Sequence, residues 1–243
     1  GGLELDIAHE LAPGSLGLRR QAIDAHADDD GSLHAIVGSP IPCTAGMGYT
    51  HDTQCLVYEG PDEPYAGREL CFGLNETAVS IADVTDKVNP VSVAIAAYPN
   101  VGYAHQGWLS ADQRFFFVND ELDETAGAVN RTRTLVWDVS VLEDPILVKE
   151  HLGETTSSDH NLYVQDHLMY QSNYVSGLRI LDISDRENPE VVGFFDTVPG
   201  TPDRPGFDGS WSNYPFFESG IIIVSSGKEG MFILRKRERA LLP

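Results

Sequence analysis

Along this chain apolar residues alternate with polar ones or gather in short runs, and the runs return at long, regular intervals. Val91-Ser92-Val93-Ala94-Ile95, Ile146-Leu147-Val148 and Val191-Val192-Gly193-Phe194-Phe195 follow the two-residue period, or the brief continuous run, of β-strands. A polar turn and a proline precede each of them. Ala82-Asp83-Val84-Thr85-Asp86 leads to Asn89-Pro90, Trp137-Asp138-Val139-Ser140 to Asp144-Pro145, and Leu181-Asp182-Ile183-Ser184-Asp185 to Asn188-Pro189, an interval of 44 to 55 residues. Apart from a weak signal in residues 15–26, no helical period is sustained. The pattern predicts an all-β chain.

Repeats of about 45–55 residues with four short strands each are the signature of β-propeller blades. Residues 1–243 then read as one propeller domain: a partial blade at 1–20, an irregular insertion at 21–48, repeats at 49–102, 103–157 and 158–206, a degenerate last blade at 207–235 and a tail at 236–243. Gly2-Leu3-Glu4-Leu5-Asp6-Ile7 echoes Gly177-Leu178-Arg179-Ile180-Leu181-Asp182-Ile183, so the chain is expected to open in the middle of a blade. About four blades are visible, the low end of the 4–8 that close a ring, which suggests a fragment of a larger propeller. Asp28 to Asp30, inside the insertion, could hold a cation but read rather as a solvated turn.

A histidine keeps step with the repeat. Tyr49-Thr50-His51-Asp52, Tyr103-Ala104-His105-Gln106 and Ser158-Asp159-His160-Asn161 each precede a short strand, with the histidines 54 and 55 residues apart. Inner strands of successive blades line a propeller's channel, so His51, His105 and His160 are expected to face one another. Three imidazoles with an open position would suit copper, zinc or iron, and Asp52, Gln106, Asp159 and Asn161 would orient the rings. The alternative is that each histidine bonds a carbonyl of the next blade and repeats only as architecture. His9, His26, His34, His151 and His167 are out of phase and read as surface residues, and the fourth copy, from Asp208-Gly209-Ser210-Trp211, has no histidine.

Other groups offer weaker chemistry. Asp120, Glu121 and Asp123 supply the hard oxygens calcium prefers, or else belong to a solvated or blade-bridging acidic turn in which Asp120 and Glu121 pair with Arg131 or Arg133. Trp108, Trp211 and Tyr214 are candidates for a ligand-stacking surface, although aromatic residues in strands also serve packing. No Gly-x-Ser-x-Gly elbow is present, which argues against a serine hydrolase. Cys55 and Cys71 are expected to lie on neighbouring strands and close a disulfide, leaving Cys43 odd.

Thr50-His51-Asp52-Thr53-Gln54-Cys55, Tyr58-Glu59-Gly60-Pro61-Asp62, Gly67-Arg68-Glu69-Leu70-Cys71-Phe72, His105-Gln106-Gly107-Trp108-Leu109, Asp120-Glu121-Leu122-Asp123-Glu124, Asp159-His160-Asn161 and Tyr214-Pro215-Phe216-Phe217 occur in one order across roughly residues 45–235. In this the chain resembles the choice-of-anchor B proteins with their LVIVD-type repeats. The resemblance implies a β-propeller that is secreted or displayed on the cell surface, periplasmic or outer-surface in a Gram-negative source, held by varied C-terminal anchors and of poorly defined biochemical role. Members carry further repeats upstream, and residues 8–48 depart from the pattern.

Charge narrows the partners. The net charge of −21 and a pI near 4.5 argue against nucleic acid, which needs clustered Lys and Arg. Apolar runs such as Ile221 to Val224 are too short for a transmembrane segment. Gly1-Gly2, without a Met or a signal-peptide pattern, reads as the start of a processed or truncated product. The sequence therefore favours a secreted or surface binding module for a glycan, peptide or protein. The alternative is a metal-dependent enzyme, redox or hydrolytic, built on the three histidines.

Overall fold

The computed structural model of this chain describes residues 3–11 and 50–238. Asp28 to Asp30, Cys43, His26 and His34 lie outside them, with the whole 21–48 insertion. The described residues form four antiparallel four-stranded sheets. The first holds β2 (Asp52–Val57), β3 (Glu69–Leu74), β4 (Val79–Asp83) and β5 (Val91–Ala96); the second β6 (Ala104–Leu109), β7 (Phe115–Asp120), β8 (Arg133–Asp138) and β9 (Ile146–Leu152). The third holds β10 (Leu162–Gln165), β11 (Leu168–Ser172), β12 (Leu178–Asp182) and β13 (Glu190–Phe195). In the fourth, β14 (Ser210–Tyr214), β15 (Ile221–Ser226) and β16 (Gly230–Glu238) are joined at the outer edge by β1 (Leu3–Leu11). The architecture is a β-propeller, as the repeats predicted.

The repeated Asp-Val/Ile-Ser/Thr motif has a local cause. In three blades the aspartate that ends the third strand accepts the backbone N–H two residues on: Thr85 to Asp83 at 3.0 Å, Ser140 to Asp138 and Ser184 to Asp182 at 2.8 Å. This Asx turn stops the strand and aims the chain at the proline that opens the next. Three blades also share a register shift between third and fourth strands, at Ile81/Ala82, Val136/Trp137 and Ile180/Leu181, which adds the twist that blades need. Gly177, at φ +76°, could not be any other residue: a Cβ there would stand 2.1 Å from the Phe195 carbonyl oxygen.

Packing between blades explains the apolar runs. Phe115-Phe116-Phe117-Val118 is continuous because β7 is buried on both faces. Phe116 and Val118 join Phe72, Leu135 and Trp137 between the first two blades, while Phe115 and Phe117 join Leu162, Met169 and Leu181 between the second and third. Tyr170, Ile180, Ile222 and Leu234 fill the next interface. Cys55 and Cys71 stand opposite each other on β2 and β3 and are disulfide-bonded. By loop-closure entropy the bridge stabilises the first blade by about 3 kcal/mol. Among the described residues no helix is long and apolar enough to cross a membrane.

The segment read as a separate partial blade, residues 1–20, contributes β1 to the outer edge of the fourth sheet. Its alternation fixes strand character but carries no information on which edge it completes.

Candidate metal centre on the inner strands

The innermost strands β2, β6, β10 and β14 pack side by side in chain order and bring the in-phase positions together. The ring of His105 lies 4.5 Å from that of His51 and 4.3 Å from that of His160. Trp211, 51 residues after His160, occupies the corresponding place on β14 and packs on His160 at 4.5 Å. A row of three imidazoles and one indole therefore runs from blade to blade at one level of the inner strands.

One further residue enters this row, Glu121, at the end of β7. Its carboxylate lies between two imidazoles: Oε2 is 3.6 Å from His105 Nε2 and Oε1 is 3.8 Å from His160 Nε2. Among the described residues, His105, Glu121 and His160 are the group whose donor atoms, all within 4.8 Å of one another, could hold a metal ion. Both gaps exceed a hydrogen bond. They approach the roughly 3.3–3.6 Å that separates two donors each about 2.0–2.2 Å from one tetrahedral ion.

The protonation states agree with that geometry. His160 Nδ1 lies 2.5 Å from the Trp211 carbonyl oxygen, which can only accept, so Nδ1 carries the proton and Nε2 offers a lone pair. Burial pushes the His160 pKa down to about 3, so the ring is neutral. Burial raises the Glu121 pKa and the Tyr174 hydroxyl bond opposes that rise; as a carboxylate, its Oε1 faces the neutral Nε2 across 3.8 Å, two acceptors. Glu121 is held in turn by the hydroxyl of buried Tyr174. Tyr174 sits at φ +42°, bridged to Ser210 in both directions at 3.1 and 2.9 Å, and Gly209 makes room for that approach. A left-handed tyrosine costs of order 1–3 kcal/mol and is the kind of strain that collects at functional positions.

The other sequence candidates separate. His51 lies outside the donor group, its Nδ1 3.2 Å from the Tyr103 hydroxyl. The Gln106 amide exchanges two bonds with the Leu162 backbone, at 2.9 and 2.8 Å, and Asn161 donates to Ser212 at 3.3 Å. Both join inner strands rather than orient an imidazole; the Trp211 carbonyl performs that task, and the sequence had no signal for it. Asp52 accepts the Thr53 N–H at 2.6 Å, while Asp159 is fully buried with no hydrogen-bond donor on either oxygen. Burial and the nearby Glu124, Asp123, Asp120 and Glu121 raise its pKa well above the carboxylate range.

The acidic loop read as a calcium site does not converge on one ion. Asp120 and Asp123 lie 3.7 and 2.7 Å from fully buried Arg133, and Glu121 turns to the histidines. Strand pairing of β7 with β8 sets that division by bringing Arg133 back beside the loop. Glu124, also buried, is within hydrogen-bonding range of Asp123, and Asp123 Oδ1 and Glu124 Oε2 have no other partner. Burial, and then Asp123, raise the Glu124 pKa strongly. Above an ordinary carboxyl pKa of about 4.3 the unfolded chain loses this proton while the folded chain keeps it, so stability falls as pH rises through that window. Glu124→Gln, which supplies a fixed donor to Asp123, is expected to flatten the decline and to be the more stable form at pH 8. Urea denaturation of both proteins at pH 5 and pH 8 checks this, and equal pH slopes would refute it.

Trp108 and Tyr214 stand three residues beyond the histidine level, about 10 Å along their strands. Trp108 packs on Tyr163 at 5.0 Å and on Phe216 at 5.8 Å, and Tyr214 packs on Phe216 at 5.4 Å and Phe217 at 4.9 Å. Trp211, Tyr214 and Phe217 are exposed. The aromatic residues thus divide between the histidine level, with Trp211, and a second level beyond it. His151, read as a surface residue, is half-buried between the second and third blades.

Fold and site together define a β-propeller with a buried His-Glu-His cluster on its inner strands. Among solved structures, the chain is similar to the periplasmic gluconolactonase PpgL of Pseudomonas aeruginosa, with a TM-score of 0.52 and 13% identity over 71% of this chain. It spans about half of that protein's length, 54%. No protein-family model and no curated protein matches the chain.

Proposed function

We propose that this propeller is a metal-dependent hydrolase acting on a small ester or lactone outside the cytoplasm. The observation that carries the reading is the pair of 3.6 and 3.8 Å gaps around Glu121, too wide for hydrogen bonds and bounded by a neutral imidazole acceptor. Two histidines and a glutamate are a donor set of catalytic zinc sites, which leave one position open for water. Bound there, the ion would lower the pKa of that water and polarise a substrate carbonyl. The Trp211 carbonyl orients His160 so that its Nε2 would face a bound ion, Tyr174 fixes the Glu121 carboxylate, and the Trp211 ring packs on His160. The lactone class rests on the name of the propeller neighbour.

The location is read from three supports. They are the disulfide, which suits an oxidising compartment, the periplasmic neighbour, and the motifs that resemble choice-of-anchor B proteins. A second reading, a surface module that binds a glycan without chemistry, is favoured by the exposed Trp211, Tyr214 and Phe217. Elemental analysis of protein purified without a His tag or chelator, with lactone hydrolysis followed by pH-stat, separates the two. The expected result is about one equivalent of zinc, copper or iron and hydrolysis that chelation abolishes and the same metal restores. Metal-free protein that binds no added zinc would overturn the enzyme reading and leave the binding module.

A further inference from the structure

The loop that leads into the fourth inner strand is longer than its described counterparts. Between Phe195, which ends β13, and Ser210, which opens β14, lie 14 residues, against 9 between Leu152 and Leu162 and 7 between Ala96 and Ala104. These loops enter the inner strands at the end that carries the histidines. The long one folds back onto the segment before His160: Thr156 Oγ1 donates to the Asp203 carbonyl at 3.2 Å, and the Gly206 N–H donates to Ser158 Oγ at 3.3 Å. Phe207 is thereby seated edge-on against Tyr174, at 5.5 Å and 77°.

Tyr174, which holds Glu121, is fully buried, but the two rings that stand on it are not. Phe207 is 51% exposed and Trp211 39%. The Trp211 ring meets Tyr174 at 5.8 Å and 85° and packs on His160 at 4.5 Å. Two exposed aromatic rings, one from the inner strand and one from the long loop, therefore border the His105, Glu121 and His160 group. The charged side chains near Phe207 engage one another: Arg204 pairs with Asp208 at 3.1 Å, and Asp208 also accepts from Lys228 at 2.6 Å. Sugar recognition needs hydrogen bonds to hydroxyls as well as stacking, whereas a flat apolar ring needs only the aromatic surface found here.

We propose that the substrate of this centre is an aryl ester or aryl lactone, its aromatic ring packed against Trp211 and Phe207 and its carbonyl toward His105, Glu121 and His160. The inference rests on the hydrolase reading and narrows it away from sugar lactones. In the hydrolysis the water oxygen joins the carbonyl carbon, the bond from that carbon to the phenolic oxygen breaks, and a proton of the water ends on the phenolic oxygen.

Two readouts test the assignment. First, the full chain, stripped of metal with EDTA, is titrated calorimetrically with 3-phenylpropanamide and with propanamide, neutral amides that differ by the ring. The phenyl amide is expected to bind one to one with a Kd of roughly millimolar order, about tenfold or more tighter than propanamide. Trp211→Ala and Phe207→Ala should each weaken it about three- to tenfold, and Trp211→Phe should keep most of the affinity. Phe194→Ala, which removes a similarly exposed ring from the outer strand β13, should leave it unchanged. Second, zinc-loaded protein is assayed by pH-stat on dihydrocoumarin and δ-gluconolactone. Phe207→Ala should lower the ratio of the two kcat/KM values, aryl over sugar, about fivefold. Circular dichroism and thermal midpoints confirm that the variants fold, and Phe207→Leu serves if Phe207→Ala does not. Equal binding of the two amides, full affinity in both alanine variants, or an unchanged ratio would overturn the aryl assignment. Hydrolysis of neither lactone, with the phenyl amide still bound through Trp211 and Phe207, would instead overturn the hydrolase reading and leave the aromatic subsite standing.

Discussion

Arg133→Met is expected to destabilise the fold by about 3–5 kcal/mol, the range for removing one partner from a buried ion pair. The guanidinium is fully buried and uses four of its five N–H groups: Nε donates to Asp123 at 2.7 Å, Nη1 to Glu150 at 2.8 Å and to the Pro99 carbonyl at 3.1 Å, and Nη2 to the Asn100 carbonyl at 2.9 Å. Asp120 Oδ2 lies 3.7 Å from it and also accepts from Tyr98 at 2.9 Å and the Gly102 N–H at 2.8 Å. Without the arginine, Asp120 and Asp123 become buried carboxylates with no counter-charge, next to Glu124 and Asp159. The cost is read as a lower urea midpoint at unchanged slope. Adding Asp123→Asn to Arg133→Met should recover part of it, because the second change removes a charge the first left unpaired. A loss below about 1 kcal/mol, the level of the half-exposed pairs Arg68 with Asp83 and Arg114 with Asp138, would refute the central role of this residue.

The blades were legible because their signals are local. An aspartate that caps its own chain two residues on, a proline that opens the next strand and a period-two apolar pattern all act within a few residues, so they print directly onto the sequence. Phase carried the histidines as well, since equivalent places on inner strands meet at one level of the axis. The same phase marked Trp211, yet a search for repeated histidine overlooks an indole that keeps the spacing and stacks in the same row. Glu121 was illegible in its role. Within Asn119-Asp120-Glu121-Leu122-Asp123-Glu124 all the carboxylates look alike, and the pairing of β6 with β7 and β7 with β8 divides them between Arg133 and the imidazoles. The edge taken by β1 was equally hidden, since an alternating strand fits several edges.

Glu121→Gln and His160→Ala are each expected to weaken zinc binding beyond the roughly 10–100-fold that loss of an outer partner causes, whereas His51→Ala should change it by less than about tenfold. The distinction follows from donor atoms rather than rings. His51 is as close to His105, centroid to centroid, as His160 is, but Glu121 lies between His105 and His160 and the donor group closes without His51. Removing the Glu121 charge also takes away the anion that best offsets a divalent ion in this buried row. Tyr174→Phe, which frees the carboxylate without removing it, should fall within the roughly 10–100-fold range of an outer partner. Competition with a chelating dye measures all four affinities at one pH. Equal losses in His51→Ala and His160→Ala would restore a centre of three histidines, and an unchanged affinity in Glu121→Gln would remove the carboxylate from the site. The predicted order, with Glu121 and His160 above Tyr174 and Tyr174 above His51, is specific to an ion held in the two gaps beside Glu121.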